Sequence, residues 1–269
     1  MKPSGRLVRL SSPATGESWE VPVVYEDSQI LALNKPARLL SSPDRYDAKR
    51  PNLMRLLHEG IASGRPWAAD HGITYLANVH RLDFETTGVF LLAKDRDALV
   101  KMANHFGSEV PKKTYLALVM GNPPEDEFTV ENRLAPHWFK PGLMAISGQG
   151  KRALTDFRVT ERFVGCSLVE CRPFTGRTHQ LRVHLQDCGH SIYGDSAYGG
   201  EDLLVSKIKR GSRISPGDKE TPLISSLALH AWRLELPHPA TGELVAMEAP
   251  LPKTLTVALK NLRRFATRA

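Results

Sequence analysis

Short apolar or alternating runs recur along this chain, and helical patterns are too few between them to build a regular βα alternation. Val21–Tyr25, Gln29–Leu33, Val89–Ala93, Thr114–Met120, Leu154–Thr160, Cys166–Cys171, Leu227–Leu236 and Leu244–Met247 read as strands. Glu26-Asp27-Ser28 supplies a turn between the first two. Leu53, Met54, Leu56 and Leu57 have helical spacing, with Pro51 as a starter and Gly60 as a stop. Asp95 caps a second helical pattern whose face carries Leu99, Met102, Ala103 and Phe106, ended by Gly107. Thr178–Gly189 reads as a short helix with Leu181, His184, Leu185 and Cys188 on one face, and the stretch from Leu255 as a closing helix. The pattern predicts an α+β fold: a mixed, mainly antiparallel β-sheet core flanked by helices and loops. Residues 137–152 are expected to form a long loop or irregular hairpin, and 206–219 a polar excursion. Pro13–Glu17 and Pro239–Glu243 both read PATGE, which predicts one hairpin-turn chemistry used twice rather than a duplicated domain.

The 269 residues are 41% hydrophobic and 24% charged, enough apolar side chain for a large core and too much for wholesale disorder. Residues 1–20 are expected to form an arm or first hairpin, and 21–269 one domain. Lys and Arg number 36 against 29 Asp and Glu, a net charge of +7. The excess is uneven. Residues 137–182 carry eight Lys/Arg against three acids, and 253–269 five basic residues with no acid. A solvated surface explains either run singly; the two together favour a phosphate-tracking face. No stretch approaches the ~18 apolar residues of a membrane span, and MKPSGRLVRL lacks an apolar signal core. The expectation is a cytoplasmic protein without a membrane partner. The three cysteines Cys166, Cys171 and Cys188 have no C-x-x-C spacing, so buried free thiols are expected rather than disulfides or a zinc site.

Two polar segments could carry chemistry. His80-Arg81-Leu82-Asp83-Phe84-Glu85-Thr86-Thr87-Gly88 leads straight into the apolar run Val89–Ala93. There Asp83 reads either as a nucleophilic carboxylate or, more plainly, as an ion-pair partner or turn cap. Arg172 to His184 sets basic and amide donors at the mouth of a helix, where the dipole favours anions. Such a guanidinium could hold a carboxylate in its ionised form, or bind phosphate. His179 and His184 are five apart and do not share a helix face as paired zinc ligands would, so no metal is expected and His184 reads as a core histidine. Lys113-Thr114-Tyr115 opens a strand in which Tyr115 is either core packing or a flat ring for a base.

Taken together, these segments resemble the RluA family of pseudouridine synthases. His80-Arg81-Leu82-Asp83 with Thr86-Thr87-Gly88 is similar to that family's H-R-L-D-x-x-T-S-G element, with Thr87 in place of the usual Ser. Lys113 and Tyr115 match its K-x-Y element, and Gly176 to His184 its G-R-T-H-Q-[IL]-R-x-H element. Val23 to Asp27, Asn34-Lys35-Pro36, Leu229-His230-Ala231 and His238-Pro239 resemble its opening and closing segments, in the family's order. Residues 137–150 and 206–219 match none of its elements.

The resemblance implies the pseudouridine synthase fold over 21–269, as a stand-alone catalytic version without the small S4-like domain of many relatives. It implies isomerisation of particular uridines in structured RNA, ribosomal or transfer RNA, in a stem-loop, without cofactor or metal. It assigns catalysis to Asp83, Tyr115 and Arg177: the aspartate as nucleophile, the arginine as its partner, the tyrosine stacked on uracil. Arg81 is implied in base flipping. His80, Lys113, Thr178, His179, Gln180 and Arg182 are implied as RNA-binding neighbours. A monomer is the default expectation. Two rival readings are a non-catalytic RNA-binding module on the same scaffold and a carboxylate-dependent glycosidase using Asp83 and Glu85. The second fits a basic chain poorly, because its paired carboxyls must flank a sugar cleft.

Overall fold

A computed structural model describes residues 6–44, 47, 49–209 and 220–267. Along the chain run β1 (Leu7–Ser12), β2 (Glu17–Glu26), β3 (Ile30–Lys35), α1 (Leu53–Ala62), α2 (Pro66–Ala69), β4 (Ala77–Asn78), β5 (Thr87–Ala93) and α3 (Arg96–Gly107). Then come β6 (Lys112–Met120), β7 (Glu127–Pro136), β8 (Met144–Ile146), β9 (Lys151–Phe163), β10 (Cys166–Pro173) and α4 (Gln180–Asp187). A 3₁₀ turn (Ser196–Tyr198), α5 (Val205–Ile208), β11 (Leu229–Pro237), β12 (Leu244–Glu248) and α6 (Lys253–Phe265) follow. The fold is the mixed, mainly antiparallel sheet with flanking helices that the sequence predicts. Most of the expected 206–219 excursion lies outside the described residues. No described helix is long and apolar enough to cross a membrane.

The chain divides into two compact units. The first runs to Lys112 and includes Ala231–Pro250; the second comprises Lys113–His230 and the segment from Leu251.

In the first unit the strands lie in the order β1-β2-β3-β5-β11-β12, with β4 beside β5. β5 reads TGVFLLA and is buried along its whole length, so it has no polar face to offer water. Ile30, Ala32, Val89, Leu91, Leu234 and Met247 form the core there, and α3 closes it with Ala98 and Met102. Leu99 and Phe106 pack at its margin, but Ala103, expected on the same face, is exposed; Ala98 takes the core position. Asp95 caps α3 as predicted, accepting from the Ala98 N–H at 2.7 Å.

The start and stop of α1 differ from the sequence reading. Asn52, not Pro51, is the cap, accepting from Arg55 N–H at 3.0 Å. Gly60 lies inside the helix instead of ending it. A Cβ there would sit 2.4 Å from the Trp67 ring, so this glycine admits an indole against the backbone.

The two PATGE segments form equivalent hairpin turns, β1–β2 and β11–β12. Gly16 and Gly242 adopt φ of 69° and 74°, and their N–H groups both reach back four residues, to Ser12 O and His238 O at 2.9 Å.

The second unit orders its strands β6-β10-β9-β7-β8, each pair antiparallel. Phe157, Phe163 and Val169 meet Leu181 and Leu185 from α4 and Leu255, Leu259 and Leu262 from α6. The expected irregular hairpin over 137–152 is present: β7 runs out, β8 pairs with its last residues, and β9 returns. Cys166 and Cys171 are buried as expected; Cys188 is not, because it falls at the end of α4 where the helix leaves the core.

Candidate active site

Asp83 sits in the first unit, half-buried, on the loop between β4 and β5. That loop is fixed through its backbone. Ser41 Oγ donates to Leu82 O at 2.7 Å and accepts from Leu82 N–H at 3.0 Å. Lys35 is fully buried and donates through Nζ to the carbonyls of Leu39 (2.7 Å), Pro36 (2.9 Å) and Phe84 (3.3 Å). Three N–H bonds on three carbonyls use every donor of an ammonium group. Burial pulls the Lys35 pKa down to about 7, opposed by the charge of Asp83. The residues flanking Asp83 are therefore pinned on both sides, at Leu82 and Phe84.

Gly88 follows at φ 114°, where a Cβ would lie 2.2 Å from Ala231 O. Only glycine lets β5 start against that backbone. His80 has structural partners. Its Nε2 accepts from Leu91 N–H at 3.0 Å, and its ring stacks on Phe106 at 5.2 Å with an interplanar angle of 8°. An accepting Nε2 leaves that nitrogen without a proton for RNA. Arg81 is exposed. Glu85 lies 4.0 Å from Arg38.

The other implied residues belong to the second unit. β6 and β10 pair in a register that sets Tyr115 opposite Cys171. Lys113 Nζ donates to Phe174 O and Thr175 O, both at 3.3 Å. The K-x-Y element and the turn before α4 are thus brought together within this unit. Tyr115 is half-buried.

The mouth of α4 is held by its own side chains. Gln180 Oε1 accepts from Thr175 Oγ1 (2.7 Å) and Arg177 N–H (3.0 Å), while Nε2 donates to Leu154 O (3.0 Å) and Thr155 Oγ1 (2.9 Å). Gln180 is only 4% exposed, so the expectation of an RNA-facing amide gives way to an internal clamp. Arg182 makes a two-bonded ion pair with buried Asp195, both bonds 2.7 Å, and lies over the Tyr198 ring at 4.6 Å. His179 Nδ1 meets Tyr198 Oη at 2.7 Å. His179 holds φ 54°, left-handed for a residue with a side chain, as the chain enters the helix.

Arg177 is half-buried, its Nε donating to Arg152 O at 2.8 Å; Thr178 is exposed. His184 is buried, as the sequence reading had it, with Nδ1 3.1 Å from Thr155 Oγ1. Its Nε2 has no hydrogen-bond partner among the described residues, and burial holds its pKa down at about 4, against the pull of Asp187.

Sequence reasoning gave no role to Lys35, Ser41, Asp195 or Tyr198. A signal existed for Lys35 alone: it ends ILALNK as the strand's one charge.

A family model described as RNA pseudouridylate synthase matches residues 29–187, more than half of the chain. The chain belongs to that family. The synthase is 35% identical over 253 residues to ribosomal large subunit pseudouridine synthase D of Nitrosomonas europaea, covering 93% of this chain and 67% of that protein. It is 36% identical over 246 residues to ribosomal large subunit pseudouridine synthase C of Salmonella typhi, covering 91% and 70%. The solved structure of human RNA pseudouridylate synthase domain containing 4 superimposes with a TM-score of 0.66 at 25% identity, covering 90% of this chain and 92% of that one. The synthase is an RNA uridine isomerase.

Proposed function

We propose that this synthase converts uridine to pseudouridine in large-subunit ribosomal RNA, with Asp83 as the nucleophile. The substrate part of the reading is supported by the names of the relatives. The observation that carries the residue assignment is the pinned loop: Lys35 and Ser41 fix the backbone at Leu82 and Phe84, and Asp83 between them is half-buried. A reacting group is held best when its supports are not themselves reacting. An rRNA substrate also fits action in the cytoplasm.

The reaction is an isomerisation. The N1–C1′ bond breaks, the uracil turns, and a C5–C1′ bond forms; the C5 hydrogen leaves to water and N1 gains a proton. Two routes satisfy this balance: Asp83 attacks C1′, expelling N1, and is itself displaced when C5 attacks C1′; or it adds to ring C6 and is eliminated as the C5 hydrogen leaves. Reaching either atom requires the nucleotide to leave its stack. Arg81, exposed on the same loop, is the side chain proposed to occupy or hold the vacated position. Tyr115 is proposed as the ring that stacks on uracil, and Arg177 as the guanidinium that the family pairs with its aspartate.

The test uses RNA tritiated at uridine C5, with unmodified large-subunit rRNA and transfer RNA assayed separately. Release of tritium to water from rRNA by the wild type, and none by Asp83→Asn with RNA binding retained, is the expected result. Release by Asp83→Asn at wild-type rate overturns the nucleophile. Release from transfer RNA alone overturns the substrate. Binding without release from either pool leaves an RNA-binding module.

A further inference from the structure

The most exposed large apolar side chain described is Trp138, at 85%, and its neighbour Phe139 is 60% exposed. They stand at the tip of the β7–β8 hairpin, within residues 137–150, which carry none of the motif elements named above. The tip is ordered by its own bonds. His137 N–H donates to Leu143 O at 2.8 Å, Leu143 N–H to Lys140 O at 3.2 Å, and Phe139 N–H to His137 Nδ1 at 3.3 Å. The rings form one cluster, Trp138 to Phe139 at 3.9 Å between centroids and His137 to Phe139 at 5.0 Å.

The base of the hairpin is anchored as firmly. Leu143 and Met144 pack on a small core of Leu134, Ala153, Val183 and Tyr198. Met144 N–H donates to Tyr198 Oη at 2.8 Å, and that same hydroxyl meets His179. The hairpin is thereby fixed to the mouth of α4 within one unit. Charge completes the picture: residues 133–152 contain Arg133, Lys140, Lys151 and Arg152 and no acid. Arg152 is paired with Glu131, which leaves Arg133, Lys140 and Lys151 as the local positive field.

We propose that the Trp138–Phe139 tip is a stacking platform for an unpaired nucleotide of the substrate RNA. Solvent-exposed aromatic faces set among cations are how proteins hold unstacked bases, since every base has a π-face and every nucleotide a phosphate. A protein partner would want the same rings among mixed charges; this tip has one sign only. The platform rests on the synthase reading above, and it supplies a recognition element outside the residues proposed for catalysis. It contributes to affinity for RNA and not to the chemical step.

The experiment compares wild type, Trp138→Ala/Phe139→Ala and Trp138→Tyr. Both altered residues are exposed, so the fold is expected to survive; thermal unfolding confirms it. Filter binding is measured with an unmodified large-subunit rRNA transcript, a single-stranded oligouridine and a fully paired RNA duplex. The double variant is expected to lose ten- to a hundred-fold in affinity for the transcript and oligouridine. Its KM should rise by the same factor with kcat within about two-fold. Trp138→Tyr should recover most of the loss, and affinity for duplex should change little.

Unchanged affinity for transcript and oligouridine overturns the platform, as does an equal loss on duplex, which would mean a charge effect only. Binding of the wild type, but not the double variant, to anionic lipid vesicles with RNA affinity unaltered overturns it in favour of a membrane surface. Loss of self-association in the double variant, again with RNA affinity unaltered, overturns it in favour of a second copy. If wild type binds RNA and releases no tritium, the synthase reading fails while the binding arm still reads the platform.

Discussion

The Asp83 loop and the mouth of α4 are both short, polar and rich in charge, yet they are held by opposite means. The loop is clamped from outside by Ser41 and Lys35, which bond its backbone at Leu82 and Phe84. The mouth of α4 clamps itself: Gln180 and Arg182, with Thr175 and Asp195, use up their own polar groups inside the unit. The difference teaches that residues of one motif are not equivalent. In the loop, the clamp is built from side chains outside the motif. At the helix, most of the motif is scaffold, and Arg177 and Thr178 are what it presents.

The largest effect should come from breaking the helix clamp. Asp195→Ala removes the carboxylate that takes two bonds from Arg182, whose side chain is only 12% exposed. Removing one partner of a buried ion pair costs about 3–5 kcal/mol. Urea unfolding should report a loss of that size; a loss under about 1 kcal/mol would mean that the pair is not what holds the helix mouth. Relief of the cost by Asp195→Ala with Arg182→Met would identify the stranded charge as its source.

The loop clamp differs in that it titrates near neutrality. Lys35 is lowered from 10.5 to about 7 by burial, against the charge of Asp83. Between those values the unfolded chain binds a proton that the folded chain has released, so the stability owed to Lys35 rises with pH. Below pH 7 both states are protonated and the full cost of burying the charge stands. The stability difference between wild type and Lys35→Met should therefore move in favour of wild type from pH 7 to 9, by about 2–3 kcal/mol. A difference that stays flat over that window would show Lys35 to be ordinary in its titration.

Ser41→Ala sharpens the same comparison. It takes one donor and one acceptor from Leu82, for a stability loss of about 1–3 kcal/mol. If the clamp positions Asp83, kcat should fall by about ten- to a hundred-fold while KM stays within two-fold, because misplacement of a reacting group is felt in the chemical step. Ser41→Thr, which keeps the hydroxyl, should restore part of the rate. Loss of stability at full kcat would leave Ser41 as structure only.

Much of this was legible in the sequence. β5 announced itself through the unbroken apolar run Val89–Ala93, because burial on both faces favours apolar side chains throughout. β7 went unread for the reverse reason. Only Val130 and Leu134 in EFTVENRLAP are buried, and β8 covers just its last three residues, so little of it carries an apolar signal. The candidate catalytic residues stood out through motif spacing. Their supports did not, since Ser41 and Asp195 meet their partners only in three dimensions, 41 and 13 residues away along the chain. Gly60 was misread because a glycine that makes room for an indole looks, in sequence, the same as one that ends a helix.

The smallest effect tests the comparison at its finest grain, within one motif. Thr178 and Gln180 are two residues apart, both implied as RNA-binding, and the structure exposes one and buries the other. Gln180→Ala strands the Arg177 N–H and the Thr175 hydroxyl, so it should lower stability by about 1–3 kcal/mol and impair RNA affinity only through that disturbance. Thr178→Ala should leave stability within about 0.5 kcal/mol, as for other surface changes. Whatever it does must then show in RNA affinity alone, as a few-fold loss in filter binding at fixed salt. If Thr178→Ala destabilises while Gln180→Ala does not, the division of the motif into scaffold and presented residues is reversed. If neither alters affinity, RNA contact from this helix mouth falls to Arg177.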